Sequence, residues 1–235
     1  MTKAVYFRLF SATLLPLEVT KILYLDGDMI IMDNLRSLWE TNLDGTAVAG
    51  VMNQKQRYTY FNRLHYSSKL GYINTGVLLI NLKYWREKQI ESHFADFIYY
   101  HPDWIKWWDQ DVLNYVLKEE KQLLRLKYNI QQFYYFKPEY SDLDYWTMGS
   151  EILDAQRLPI ILHFCGRDKP WHADCKHPKA SDFLDYKKKT IWADYPLYQD
   201  EVKKTWRQRL RPYLEKLGLL HKRPQIITIN KYIDC

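Results

Sequence analysis

The chain has 235 residues, 47% apolar and 26% charged, a globular balance that excludes disorder, collagen, coiled coil and a disulfide framework. No stretch approaches the roughly 18 apolar residues of a membrane span. Arg8 interrupts the N-terminal apolar run and no small-residue cleavage site follows, which argues against a secretory signal. The formal charge of +6 is uneven: residues 1–200 carry 25 basic and 25 acidic side chains, residues 201–235 carry 9 and 3. This describes a neutral, enzyme-like body over 1–194 and a basic tail over 195–235, not a nucleic-acid-binding domain. Cys165, Cys175 and Cys235 form no CxxC pair and suit a cytoplasmic location.

In chain order, residues 3–14 read as a helix with Thr2 as N-cap. Lys21-Ile-Leu-Tyr-Leu-Asp26 reads as a buried strand stopped by a polar turn, and residues 46–51 and 76–81 as two more strands. A long helix is expected from Leu82 to about Tyr100, a shorter one over 110–118, and strands over 122–126 and 159–163. Apolar strands separated by helices indicate an α/β sheet covered on both faces. Such sheets bind ligands beyond the carboxyl ends of their strands, which directs the search for chemistry there.

Asp26-Gly27-Asp28 places two carboxylates one residue apart at a strand end, where both can reach one divalent cation. Oxygen ligands favour Mg²⁺ or Mn²⁺, and Gly27 allows close backbone approach. Alone, such a triplet is more often a solvated turn. His163 ends another strand, and the loop after it carries Gly166 and the Lys169-Pro170-Trp171 run, a cation for phosphate beside a possible imidazole ligand. Its ordinary reading is a structural histidine and a surface lysine. Asn74-Thr75-Gly76 precedes a strand and Asp109-Gln110-Asp111 opens a helix, where Asp109 could simply be an N-cap. Both also offer hydrogen bonds to a polyol, with Tyr58, Tyr60, Trp107 and Trp108 nearby as aromatic faces.

Together, and in this order, these segments resemble glycosyltransferase family 8, which includes bacterial lipopolysaccharide galactosyl- and glucosyltransferases and glycogenin. The matching segments are Tyr6-Phe-Arg8-Leu, Ile22 to Asp28, Asn74 to Asn81, Asp109 to Asn114 and His163 to Trp171. The resemblance implies a Rossmann-like GT-A fold, a UDP-sugar donor, a cell-envelope glycan or lipid-linked acceptor, and transfer with retention. Carried over by motif, Asp26, Asp28 and His163 would hold Mn²⁺ (or Mg²⁺). Gly27, Gly166, Lys169 and Arg8 would serve the donor diphosphate; Asn74, Thr75, Asp109 and Gln110 would serve the donor sugar. Gln110 stands at the nucleophile position of a double displacement, and a neutral amide is a poor nucleophile. Asp111 would have to reach; otherwise the reaction proceeds at the front face, with the departing phosphate oxygen helping to deprotonate the acceptor.

Family members begin with further strand–helix units that carry the base- and ribose-binding groups, so the chain is expected to lack half the nucleotide pocket and, alone, measurable transfer. A catalytically silent scaffold of the same fold is the alternative, disfavoured by the presence of all three metal ligands. In the tail, Lys203 to Leu214 mixes cations with Trp206, Tyr213 and Leu side chains, which suits peripheral contact with an anionic membrane.

Overall fold

A computed structural model of the chain describes residues 3–53, 58–135, 142–199, 210 and 213–219. Its strands are β1 (Lys21–Leu25), β2 (Met29–Ile31), β3 (Val48–Met52), β4 (Ile73–Asn81), β5 (Lys121–Leu124), β6 (Ile130–Gln131) and β7 (Ile161–His163). The α-helices are α1 (Ser11–Leu14), α2 (Arg36–Trp39), α3 (Tyr58–Leu64), α4 (Leu82–Glu87), α5 (Ile90–Tyr100), α6 (Trp108–Val116), α7 (Asp142–Arg157) and α8 (Ala180–Lys187). The chain divides into two compact units, Met1–Gln131 with Met148–His163, and Gln132–Thr147 with Phe164–Cys235. Composition marks neither boundary, and the basic segment after residue 195 lies largely outside the described residues.

In the first unit a four-stranded sheet has the order β1-β4-β3-β5, antiparallel except for the parallel β3–β5 pair. A three-stranded sheet, β2-β7-β6, lies beside the turn that leaves β1. β4 is one of the two inner strands; Val77 to Ile80 are fully buried, as a strand covered on both faces requires. Trp85 of α4 and Phe94 and Phe97 of α5 pack with Tyr72, Ile73, Val48, Val112 and Leu113 into the main core. Each such buried aromatic contributes about 1.5–3 kcal/mol, and Trp85 satisfies its indole N–H on the Ala47 carbonyl at 2.9 Å.

The long helix expected from Leu82 breaks in two, because Gln89 adopts a left-handed conformation (φ 51°) between α4 and α5. The break leaves Arg86 and Glu91 to hold the N-terminal segment. Arg86 donates to the carbonyls of Ala12, Leu15, Pro16, Leu17 and Val19. Glu91 accepts the N–H of Ala12 at 2.7 Å and of Thr13 at 3.1 Å. Residues 3–10 are accordingly a 3₁₀ helix that becomes α-helical only from Ser11; Thr2 lies outside the described residues. This clamp sets the position of Arg8.

Between Gly50↔Leu78 and Met52↔Ile73 the register of β3 with β4 shifts. Close packing accompanies the shift, since a Cβ on Gly50 would lie 2.8 Å from Ile73 Cδ1. The backbone of Asn74, Thr75 and Gly76 is thereby released from the ladder on that side and is used by side chains instead. In the second unit, His177 packs between the rings of Tyr135 and Phe164, with centroids 5.1 and 4.8 Å away. Trp171 lies against Phe183 of α8.

Candidate active site

β1 ends at Leu25, and the Asp26 N–H still donates to the Gly76 carbonyl at 2.8 Å. After Gly27 and Asp28 the chain enters β2, which pairs antiparallel with β7 in the register Met29↔His163. That register brings Asp28 to His163, with Asp28 Oδ1 3.2 Å from Nε2. Asp26, Asp28 and His163 each offer a ligand atom, all within 4.8 Å of one another. An octahedral ion with bonds of about 2.1 Å spaces its ligand atoms by roughly 3–4.2 Å, so small side-chain movements would close the trio on one. Two carboxylates and an imidazole form a mixed oxygen–nitrogen donor set that a divalent cation can use.

Gly76 is the close approach here. A Cβ at that position would collide with His163 Cε1 and lie 2.8 Å from Met29 Cε and 2.9 Å from Asn74 Oδ1. At Gly27, by contrast, a Cβ would meet nothing within 4 Å and the backbone is not left-handed. The protein's own packing makes no demand for glycine at 27.

Arg8 ties the carboxylates of two elements together. Its Nη1 is 3.0 Å from Asp26 Oδ1 and donates to the Thr75 carbonyl at 2.9 Å, while Nε lies 3.3 Å from Asp109 Oδ2. The last is an ion-pair distance without hydrogen-bond alignment. The guanidinium also stacks over the Tyr24 ring at 4.3 Å. The Tyr24 hydroxyl donates to Asp26 Oδ1 at 2.9 Å, and burial together with that carboxylate pushes its pKa up. Burial likewise raises the pKa of Asp109, against the opposing pull of Arg8 and a hydrogen bond from the Thr75 side chain.

Asp111 is fully buried and both of its oxygens are occupied. Arg63 engages it through two nitrogens at 2.8 and 2.9 Å, and Tyr72 donates to Oδ1 at 2.8 Å. The N–H groups of Lys106 and Trp107 reach Oδ2 at 2.7 and 2.5 Å. This carboxylate thus anchors the backbone just ahead of α6, whose first residue, Trp108, has a left-handed φ of 44°. Trp107 and Trp108 remain 40% and 38% exposed, their rings 83° apart in plane, at the mouth of α6. Tyr60 instead packs on Tyr72, and the Tyr58 side chain lies outside the described residues.

Gln110 Oε1 accepts from Asn74 Nδ2 at 3.2 Å and from the Thr75 N–H at 3.3 Å. Asn74 Oδ1 accepts from the Gly76 N–H at 3.0 Å and from Asn129 Nδ2 at 2.9 Å. Asn129, fully buried, meets His163 Nδ1 at 2.9 Å. Sequence reasoning overlooked Asn129 and Arg63: Asn129 sits before a two-residue strand with no readable period, and Arg63 in a segment without a motif. In the second unit, Gly166 has φ 95°, and Lys169 Nζ donates to the Phe164 carbonyl at 2.7 Å and lies 5.7 Å from the Trp171 ring. The tail segment Lys203 to Leu214 is outside the described residues apart from Leu210, Tyr213 and Leu214. Among the described residues no helix is long and apolar enough to cross a membrane.

With this geometry established, comparison with known proteins is direct. The sequence profile of glycosyl transferase family 8 matches residues 1–175. The chain belongs to that family. It is 28% identical to the Bacillus subtilis General stress protein A over 196 residues, covering 82% of this chain and 67% of that one. It is also 28% identical to the Escherichia coli lipopolysaccharide 1,2-glucosyltransferase, over 82% of this chain and 56% of that enzyme. Thus the chain spans little more than half of that relative's length. Among solved structures, galactosyltransferase LgtC in complex with donor and acceptor sugar analogs superposes with a TM-score of 0.67 at 26% identity, covering 81% of this chain and 68% of LgtC. The fold of this family 8 chain is the GT-A fold of such glycosyltransferases.

Proposed function

We propose that the chain carries the catalytic site of a metal-dependent retaining hexosyltransferase that uses a UDP-sugar and a cell-envelope glycan or lipid-linked acceptor. The observation that supports this most is the convergence of Asp26, Asp28 and His163 beside the Arg8–Asp109 pair and the Asn74–Gln110 amides. A bound Mn²⁺ or Mg²⁺ would supply Lewis-acid neutralisation of the charge that develops on a departing nucleoside diphosphate. Arg8 adds a fixed positive charge beside Asp26, with its own side chain only 12% exposed. Lys169 and the Gly166 backbone are the motif's remaining contributions to diphosphate binding. Asn74, Thr75, Asp109 and Gln110 hold the sugar hydroxyls, and the rings of Trp107 and Trp108 offer faces to the acceptor.

For retention, a front-face reaction fits the side chains better than a double displacement. Gln110 is neutral and its oxygen already accepts two hydrogen bonds. Asp111 is occupied by five donors, so we assign it to positioning α6 and its tryptophans. Titration of UDP calorimetrically, with and without Mn²⁺, on the chain and on any longer version that its gene encodes, tests the proposal. Metal-dependent UDP binding is the expected result, with release of hexose from UDP-hexose in the longer version. An absence of both in both proteins would refute it and favour a silent scaffold.

A further inference from the structure

We propose that Asn129 is a positioning residue that sets the imidazole tautomer of His163 and locks it to the amides of Asn74 and Gln110. The inference rests on the proposed function for the meaning of those groups, but its geometry starts from a backbone amide, whose direction cannot be reversed. The Gly76 N–H donates to Asn74 Oδ1 at 3.0 Å, which makes that end of the Asn74 amide the oxygen. The same oxygen is 2.9 Å from the Asn129 amide, so Asn129 must present its NH₂ there. The oxygen of Asn129 then faces His163 Nδ1 at 2.9 Å. An amide oxygen only accepts, so Nδ1 carries the proton and Nε2 directs its lone pair toward Asp28 Oδ1, 3.2 Å away.

Two acceptors that face each other across such a gap repel unless a cation stands between them. The tautomer that Asn129 enforces is therefore the one a metal ligand needs. At its other end the chain continues from Asn74 Nδ2 to Gln110 Oε1 at 3.2 Å, where the Thr75 N–H also donates. Two consecutive backbone N–H groups, of Thr75 and Gly76, thus orient every amide between His163 and Gln110. Asparagine is the residue this position requires. It combines one donor end and one acceptor end in a short planar group at a fully buried site, where an unmatched end is costly.

Two substitutions separate this role from simple packing. Asn129→Leu keeps the size and removes both bonds; Mn²⁺ affinity should fall about 10- to 100-fold, with signals of the Asn74 and Gln110 side-chain amides displaced. Asn129→Asp still accepts from His163 Nδ1 but turns an acceptor on Asn74 Oδ1, which the Gly76 N–H prevents from rotating. Mn²⁺ affinity should stay near that of the unaltered chain while the Asn74 and Gln110 amide signals shift. The tautomer itself is read by ¹⁵N NMR of His163 in the metal-free chain, with Nδ1 protonated as the expected result. An Nε2–H tautomer would overturn the inference, as would loss of Mn²⁺ affinity equal in the two variants. Should Asn129→Leu not fold, the ring spectrum of the unaltered chain and the Asn129→Asp amide shifts decide the question. Failure of every variant and of the unaltered chain to bind Mn²⁺, with Nδ1 protonated, would instead count against the proposed function.

Discussion

Gly76→Ala is expected to act on His163 without replacing any side chain that binds. The added methyl would overlap His163 Cε1 and press on Met29 Cε at 2.8 Å and Asn74 Oδ1 at 2.9 Å. The methionine methyl can swing away. The other two cannot yield easily, because the imidazole is held at Nδ1 by Asn129 and the Asn74 oxygen by the Gly76 N–H itself. Overpacking of this kind costs about 1–3 kcal/mol. In a protein of this size each kcal/mol moves the melting temperature by roughly 2–4 °C, so a loss of about 2–12 °C is expected. The sharper readout is the metal. Binding to the folded state raises the melting temperature of the unaltered chain in proportion to the logarithm of ligand over Kd, and displacement of His163 should reduce that rise. Gly27→Ala is the internal control, with nothing near its Cβ and no expected loss of stability. Differential scanning fluorimetry with and without Mn²⁺ measures both. An undiminished Mn²⁺-induced rise in Gly76→Ala would show that Gly76 does not set the position of His163, and the reasoning would fail.

Asp111→Asn should cost about 3–5 kcal/mol in urea denaturation, the usual loss when one member of a buried ion pair is removed; wild-type stability with transfer abolished would return Asp111 to a chemical role. Arg8→Gln leaves Asp26 and Asp109 without their shared counter-charge. The destabilisation should therefore shrink as falling pH protonates Asp109, whose pKa burial raises, because a protonated Asp109 needs no cation; a loss that does not change with pH would contradict the pair. His177 has its pKa lowered by burial from 6.5 to about 4. The unfolded chain then takes up a proton at higher pH than the folded one, so stability falls as pH drops from 6.5 to 4, by at most about 3 kcal/mol. Replacing His177 with Gln should flatten that part of the pH–stability curve, and an unchanged slope would be the contrary result.

Several elements were readable from local pattern. The apolar run at Lys21 and the one before Asn81 are strands close to where expected, since a buried strand advertises itself as a short block of Ile, Leu and Val. β2 and β6, three and two residues long, fall below any readable period. The break at Gln89 carries no glycine or proline to announce it; it follows from the tertiary task of Arg86 and Glu91, which grip the N-terminal segment. The same clamp explains why residues 3–10 take a 3₁₀ form that helical periodicity did not foretell.

The ordered motifs, through their resemblance to family 8, were enough to nominate Asp26, Asp28 and His163 as ligands and Arg8, Asn74, Asp109 and Gln110 as donor-site residues; residue type alone left the ordinary readings open. Family membership, too, was legible in the motifs. What only the folded chain decided is which of these groups meet. The Met29↔His163 register joins Asp28 to His163, and Arg8 spans Asp26 and Asp109 from a third element. Of the two carboxylates that flank Gln110, Asp109 remains beside Arg8 while Asp111 is enclosed by five donors. Asn129, with no motif of its own, completes the chain of amides. Local sequence specifies a side chain's chemistry and the face of the element it occupies; its partners are chosen by strand register and loop anchoring between residues far apart in the chain, which no local pattern encodes.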